Sequence, residues 1–406
     1  MRGASELLVP VYFCVELSVV MTFSVGTASM RWFGFGFNAF GQICAQERLV
    51  KGDTSDGVGE VRVSVPTELH VDEGGGSVVE TSQIRASWSR RASLRLGADS
   101  CVCMAGFSGV PAGAKTCGCR DAVVTESHLT LAFPDRVESW DLQSQDDTPS
   151  WSMEIIPQSQ SSDVRLPLVP GGYIACKPPI FRSLSPHLQA KSLALGGDHA
   201  ILLTATGAVY SWGLGSHGQL GHGGLSSEEE PRTVEALWGV PMSSVAAGGW
   251  HSVCVSDGGD LYVWGWNESG QLGLPSRSLR KATQQKSAQQ ADVGTSSEEE
   301  LHDEVFISIQ GFPALLDVEP SCEIRTVSCG SRHTAAVTAT GSLYTWGWGE
   351  YGQLGHQTLN SSDEPRCVEF FGAENLLVVD VVCGPWNTFT AAVKKEVLEL
   401  KNKSPE

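Results

Sequence analysis

The apolar positions of this chain fall in short runs, and no long helical stripe is present. The clearest set lies in Val245–Gly273, VAAGGWHSVCVSDGGDLYVWGWNESGQLG. Two runs, His251–Val255 and Leu261–Trp266, flank the Gly-rich connection Ser256–Asp260. Aromatic and β-branched runs bounded by Gly and Asp predict strand, turn, strand. Gly270-Gln271-Leu272-Gly273 follows, and its glycines permit positive φ at a tight corner. A lone hairpin cannot bury its apolar face, so such a unit requires neighbours.

The neighbours lie in the same chain. His251 precedes Trp264-Gly265 by thirteen residues, and the same step joins His333 to Trp346-Gly347 and His199 to Trp212-Gly213. Each Trp-Gly is followed by Gly-Gln-Leu-Gly, beginning at Gly218, Gly270 and Gly352. From Trp212 to Trp264 is 52 residues, and from Trp264 to Trp346 is 82, the same period with an insertion. A fixed period of this size predicts a repeat array. Helix-free spacing between the strands selects an all-β propeller.

The two chain ends carry complementary halves of one repeat. Phe35-Gly36-Phe37-Asn38-Ala39-Phe40-Gly41-Gln42 aligns with Trp264-Gly265-Trp266-Asn267-Glu268-Ser269-Gly270-Gln271, a second half without a first. Gly384-Pro385-Trp386-Asn387-Thr388 and the run to Val393 form a first half without a second. Pairing the two predicts one shared blade that closes the ring and removes its open edges.

Between these regions the pattern weakens. Ala86-Ser87-Trp88-Ser89 echoes Gly248-Gly249-Trp250-His251, placing Ser89 at the His position. His128 and Trp140 form a clearer echo, twelve residues apart. Six blades are readable. The Ser-, Asp- and Pro-rich stretch 143–179 reads as loop, and whether it holds a further blade is left open. Residues 276–304 read as a polar surface insertion. The expected domain plan is an extension over 1–30, a propeller over 31–394 and a solvated tail over 395–406. Residues 1–29 partly imitate a signal peptide, but Glu6, Pro10 and Glu16 interrupt it, so secretion is disfavoured.

Composition narrows the function. The formal net charge is −18, and no Lys/Arg run occurs. Proteins that grip phosphates directly carry basic patches, so direct nucleic-acid binding is not expected, and no membrane span is either. An acidic surface suits a basic protein partner. Twelve cysteines are scattered without a small-domain disulfide pattern, which fits a reducing compartment. Cys101, Cys103, Cys117 and Cys119 form two close pairs but lack the Cys-x₂₋₄-Cys knuckle of a zinc site, and they read as free thiols.

Candidate chemistry is sparse. His199, His251 and His333 occupy one position in separate blades, too far apart to converge on an ion, and are expected to satisfy buried backbone groups. Trp212, Trp264 and Trp346 read as blade packing. His217 and His222 flank a corner and read as exposed. The closely spaced glycines of Gly34–Gly41 open no helix, so a dinucleotide site is excluded. No paired-carboxylate, nucleophile–base or phosphate-loop arrangement is found, and no catalytic residue, cofactor or metal is assigned.

Gly-x-x-His-[Ser/Thr], Trp-Gly and Gly-Gln-Leu-Gly at this spacing resemble the regulator-of-chromosome-condensation repeat family, strongly after residue 190 and weakly before it. The resemblance implies a seven-bladed propeller closed by both chain ends. Its signature falls on Phe35, Gly36, Gly41, Gln42, His128, Trp140, His199, Trp212, Gly213, His251, Trp264, Gly265, His333, Trp346, Gly347 and Trp386. The segments WFGFGFNAFGQ at 32–42, AAGGWHSVCVS at 246–256, FPALLD at 312–317 and CGPWNT at 383–388 extend the likeness to a single member. That likeness implies a nuclear, chromosome-associated, non-enzymatic adaptor. It also implies a partner, a JmjC-domain iron/2-oxoglutarate oxygenase acting on methylated histone H3 in chromosome segregation and transcriptional regulation. Histones would be met through that partner. The alternative is nucleotide exchange on a small GTPase, disfavoured because 276–304 is unlike an ordered wedge. The divergent stretches 43–187 and 276–304 are expected to carry specificity.

Overall fold

The structure, a computed structural model, describes residues 30–44, 61–69, 81–95, 100–107, 109–144, 146–155, 164–176, 178–280 and 305–395. These residues form seven antiparallel sheets arranged as the blades of a propeller. Blades five, six and seven have four strands in sequence order. Blade five holds Ala190–Leu195, His199–Thr204, Val209–Gly213 and Glu228–Thr233. Blade six holds Met242–Ala247, His251–Ser256, Leu261–Trp266 and Ile309–Leu316. Blade seven holds Ile324–Cys329, His333–Thr338, Leu343–Gly347 and Ser362–Cys367. Their second strands are buried along their whole length, because each is covered by a neighbouring blade on both faces. Such strands read as continuous apolar runs without alternation.

The closing blade joins the chain ends, in the order Arg62–Glu68, Arg31–Phe37, Asn387–Lys394, Leu376–Cys383. Arg31 pairs with Ala392 and Gly36 with Asn387. The two half-repeats thus share one blade, as their sequences predict. Gly36 has φ +111°, and a Cβ there would lie 2.6 Å from the Trp386 carbonyl oxygen. Only glycine accepts both demands.

Blades two and four fall short of the four-strand plan with three strands each, while blade three keeps it. Blade two has three strands, Thr81–Ala86, Arg90–Arg95 and Cys101–Gly106. Blade three has four, Asp121–Val124, His128–Ala132, Arg136–Asp141 and Trp151–Glu154. Blade four has three, Leu168–Val169, Gly172–Cys176 and Pro179–Ser183. The loop reading of 143–179 is therefore corrected. That stretch contains the outer strand of blade three and two strands of blade four, the seventh blade. Few apolar residues are needed there, because Val164, Leu166, Val169 and Ile174 bury themselves against Ala132, Val137 and Ile155 of blade three. The expectations for residues 1–29, for 281–304 and for the tail beyond 395 lie outside the described residues.

Blade packing runs unbroken around the ring, and the innermost strand of the closing blade touches that of blade two. A central channel of about 960 Å³ remains, walled by strand ends such as Ala86, Val123, Leu195, Ala247, Cys329 and Cys383. Arg85, on this wall, reaches the buried Asp121 of blade three at 3.0 Å.

Candidate interaction face

The repeated histidines are linkers between blades. His199 Nε2 lies 2.9 Å from the Ser252 hydroxyl of blade six. His251 Nε2 lies 2.9 Å from the Thr334 hydroxyl of blade seven, and His333 Nε2 lies 3.0 Å from the Thr388 hydroxyl of the closing blade. Each hydroxyl in turn donates to a main-chain carbonyl of the histidine's own blade, at Gln219, Gln271 and Gln353 respectively, at 2.7–2.8 Å. A hydroxyl that donates its proton to a carbonyl must accept from the imidazole. The proton therefore sits on Nε2. The rings reach main-chain carbonyls through a hydroxyl on the next blade.

Trp264 and Trp346 end on the same carbonyls. Their indole N–H groups donate to Gln219 and Gln271 at 2.9 and 3.0 Å. Trp212 donates to the Tyr173 hydroxyl of blade four at 3.3 Å. Phe35 holds the equivalent place in the closing blade, fully buried and without a donor. The corner glutamines fix the loops. Oε1 of Gln42, Gln219, Gln271 and Gln353 accepts from the backbone N–H two residues earlier, at 2.8–3.1 Å.

Burial drives the charge state of the histidines. Desolvation lowers the pKa of His251 to about 3, helped by the neighbouring His199 and His333, and desolvation lowers that of His333 to about 3 and of His199 to about 4. All three are neutral at pH 7 and hold no catalytic proton near that pH. Gly213, Gly265 and Gly347 pair directly with the three histidines.

The relay stops in the N-terminal blades. Asn387 holds the His position of the closing blade, and its Nδ2 reaches the Ser87 carbonyl at 3.5 Å. In blade two the Ser87 N–H bonds the Arg90 carbonyl, as Gly248 bonds His251, so Arg90 holds the His position and not Ser89. Its guanidinium is buried and donates to the Glu126 carbonyl at 2.8 Å. His128 keeps the position in blade three, but its Nδ1 bonds the adjacent Ser127 hydroxyl at 2.8 Å. Trp140 donates to Glu138 of its own strand at 3.2 Å. His217 and His222 are half-buried, which corrects the exposed reading. His222 Nε2 lies 3.0 Å from the Ser211 hydroxyl, and His217 packs on Trp250 and Trp266. Cys101, Cys103, Cys117 and Cys119 are unbridged. Among the described residues, no group of His, Cys, Asp or Glu side chains could hold a metal.

One face carries something the signature does not require. The residue before each blade's His position and the residue after each Trp-Gly emerge at the same end of the strands. In blade six these are Trp250 and Trp266, with ring centroids 5.4 Å apart. Arg332, from the matching loop of blade seven, lies 4.8 Å above the Trp266 ring. Trp348 stacks edge-on with Trp386 at 5.0 Å and with Tyr351 at 5.0 Å. Tyr351 meets Phe37 at 4.9 Å, and Phe37 meets Trp88 at 5.8 Å. Phe40 then links Trp88 to Phe107, at 5.3 and 5.4 Å. Aromatic contacts thus cross three blades, from blade seven through the closing blade to blade two. Trp88 is 38% and Phe107 56% exposed. Cation–π contacts continue the series: Arg62 lies over Tyr351 and Arg90 over Phe107. Contiguous aromatic surface, exposed at Trp88 and Phe107 and half-buried elsewhere, makes this face the candidate interaction site. Of its members only Trp386 stands among the signature residues. The signal in the sequence was the second Trp of Trp-Gly-Trp at 264–266 and 346–348, which blade packing does not use.

A family profile for the Regulator of chromosome condensation (RCC1) repeat matches residues 206–255, 258–337 and 340–392, and a second of the same description matches 190–219, 242–271 and 324–353. The chain is 43% identical to RCC1 domain-containing protein 1 of Homo sapiens, over 90% of this chain and 97% of that protein. It is 42% identical to the Mus musculus protein of the same name, with the same coverage of each. The chain belongs to the RCC1 repeat family. Among solved structures, Prp20p of Saccharomyces cerevisiae superposes with a TM-score of 0.65 at 17% identity, covering 93% of this chain and 94% of that one. At that identity the match bears on the fold alone, and it is the RCC1 propeller described above.

Proposed function

We propose that this RCC1-family chain is a non-enzymatic, chromatin-associated adaptor that works by contact, and that the aromatic face over blades six, seven, closing and two holds its partner. The supporting observation is the unbroken ring series from Trp348 and Trp386 to Phe107, on a framework whose repeated histidines are neutral and consumed in blade linkage. The partner proposed is a JmjC-domain oxygenase acting on methylated histone H3, reached by way of the likeness to RCC1 domain-containing protein 1. The site of action would be the nucleus. Affinity capture of the full chain with the purified oxygenase tests both parts. Capture by the native chain and at least a tenfold loss in a Trp386→Ala/Trp250→Ala variant is expected. Equal capture by both would remove the aromatic face from the proposal, and absence of capture by the native chain would remove the partner. Release of fluorescent nucleotide from a panel of small GTPases, if catalysed by this chain, would favour the exchange-factor alternative.

A further inference from the structure

A second surface lies on the outer rim of blades five and six, adjoining the aromatic face where Ile309 pairs with Trp266. The outermost strand of blade six, Ile309–Leu316, turns Ile309, Phe312 and Leu315 to solvent, the last two 55% and 54% exposed. The short turn Glu235–Leu237 of blade five packs against this strand, and Trp238 follows it with 66% of its surface exposed. Gly223 donates its N–H to the Gly311 carbonyl at 2.9 Å, and its Cα lies against the Phe312 ring. Leu225, two residues on, is 55% exposed. Three segments that touch one another therefore each carry a large exposed apolar side chain. None belongs to the blade cores, where the neighbouring Leu237 and Leu316 are buried instead.

The frame around this patch has one sign of charge. Glu229, Glu230, Glu235 and Asp317 are exposed. Arg232 is the sole Lys or Arg within residues 223–240 and 305–319, and it is paired with Glu228. A second copy of this chain, with net charge −18, would bring the same negative frame against it. Like charges brought together across an interface disfavour the pairing.

We infer that the rim of blades five and six is a docking surface for a cationic amphipathic segment of a protein partner. Apolar side chains of that segment would seat on Trp238, Phe312 and Leu315, and its Lys or Arg residues would meet the surrounding carboxylates. Aromatic anchors inside a polar frame are the usual energetic centre of such contacts. Its anchors Trp238, Phe312 and Leu315 are distinct from the residues of the aromatic face, which this surface meets at Ile309.

The test uses the full chain and a fluorescein-labelled 18-residue peptide of leucine and lysine at helical spacing, followed by anisotropy at low and high salt. The control is the same peptide with glutamate for every lysine. Saturable binding of the lysine peptide is expected, weakened at least tenfold by Trp238→Ser/Phe312→Ser and severalfold by Glu229→Gln/Glu230→Gln. The latter pair should also flatten the salt dependence. All four side chains are solvent-facing, and thermal melts of the variants should match the native chain. Equal affinity of native and variant chains would overturn the inference, because it would place the peptide elsewhere on the acidic surface. Equal binding of the glutamate peptide would overturn it too. So would a native dimer in light scattering that Trp238→Ser dissolves, since the occupant would then be a second copy.

Discussion

His251 shows at the residue scale how this chain uses a polar group in a dry place. The ring is fully buried and shares one hydrogen bond, through Nε2, with Thr334. A buried polar group is costly unless paired, and here the hydroxyl passes the bond on to the Gln271 carbonyl. Three donors and acceptors from blades six and seven are satisfied together. His251→Ala removes both the ring volume and the hydroxyl's partner, and a loss of about 2–4 kcal/mol in chemical unfolding is expected. The pH dependence follows from the same burial. The folded-state pKa of His251, about 3, lies below the ordinary value of 6.5, so the unfolded chain binds the extra proton between those limits. Stability contributed by the neutral ring is complete above about pH 6.5 and declines as pH falls toward 3. His251→Gln, which keeps a donor in place, should make the acid limb shallower by about one proton, or ~1.4 kcal/mol per pH unit near pH 5. Denaturant midpoints from pH 4.5 to 7 measure this, and an unchanged slope would show that the ring is protonated in the fold.

These histidines were visible in the sequence as a spacing, but their partner was not. Spacing within one repeat says nothing about which hydroxyl of the next repeat comes within reach. The shift of one residue in blade two has a similar cause. Trp88 matches Trp250 by type, yet the turn hydrogen bond from Ser87 to Arg90 sets the register, and Arg90 takes the histidine's place. An arginine there keeps the position buried by donating to Glu126 and lying over Phe107.

At the scale of the element, the closing blade was the most legible feature. Asn38 and Asn267 match in sequence, and in the structure each Oδ1 accepts from the backbone N–H five residues on, at Ile43 and Leu272, at 2.8 and 2.9 Å. Identical loop chemistry at the matching position of two repeats is why the split repeat is legible in the sequence. Blade four was illegible for the opposite reason. Its strands are short, one of two residues and two of five, and its core is completed by blade three, so no internal apolar period was required. The closing strand carries its own prediction. Gly36→Val places a branched side chain at φ +111° against the Trp386 carbonyl. A loss of at least about 1–3 kcal/mol is expected, read as a lowered thermal midpoint. Gly109→Ala, where a Cβ meets nothing within 4 Å, should leave the midpoint within about a degree or two. Equal effects would mean that the closing strand is not under the constraint described.

For the whole molecule, closure converts seven marginal sheets into one cooperative body, since each sheet borrows its neighbours' apolar faces. Truncation through Phe37 would strip the strand that covers Asn387–Lys394 and leave an open edge in the middle of a blade. Such a chain should lose its single cooperative thermal transition and associate through that edge, which light scattering would register. A truncated chain that melts in one sharp step as a monomer would contradict this. The partner was not legible from spacing or charge. Framework residues repeat because every blade needs them, whereas the aromatic face is written in the residues beside the motif. The central claim is that this face is where the protein does its work. Hydrogen exchange of the full chain, with and without the JmjC oxygenase, tests it most directly. The account predicts protection gathered in the loops that carry Phe37, Trp88, Trp250, Trp348 and Trp386, with the strand cores unchanged. Protection confined to other surfaces, with those loops exchanging as in the free chain, would contradict it.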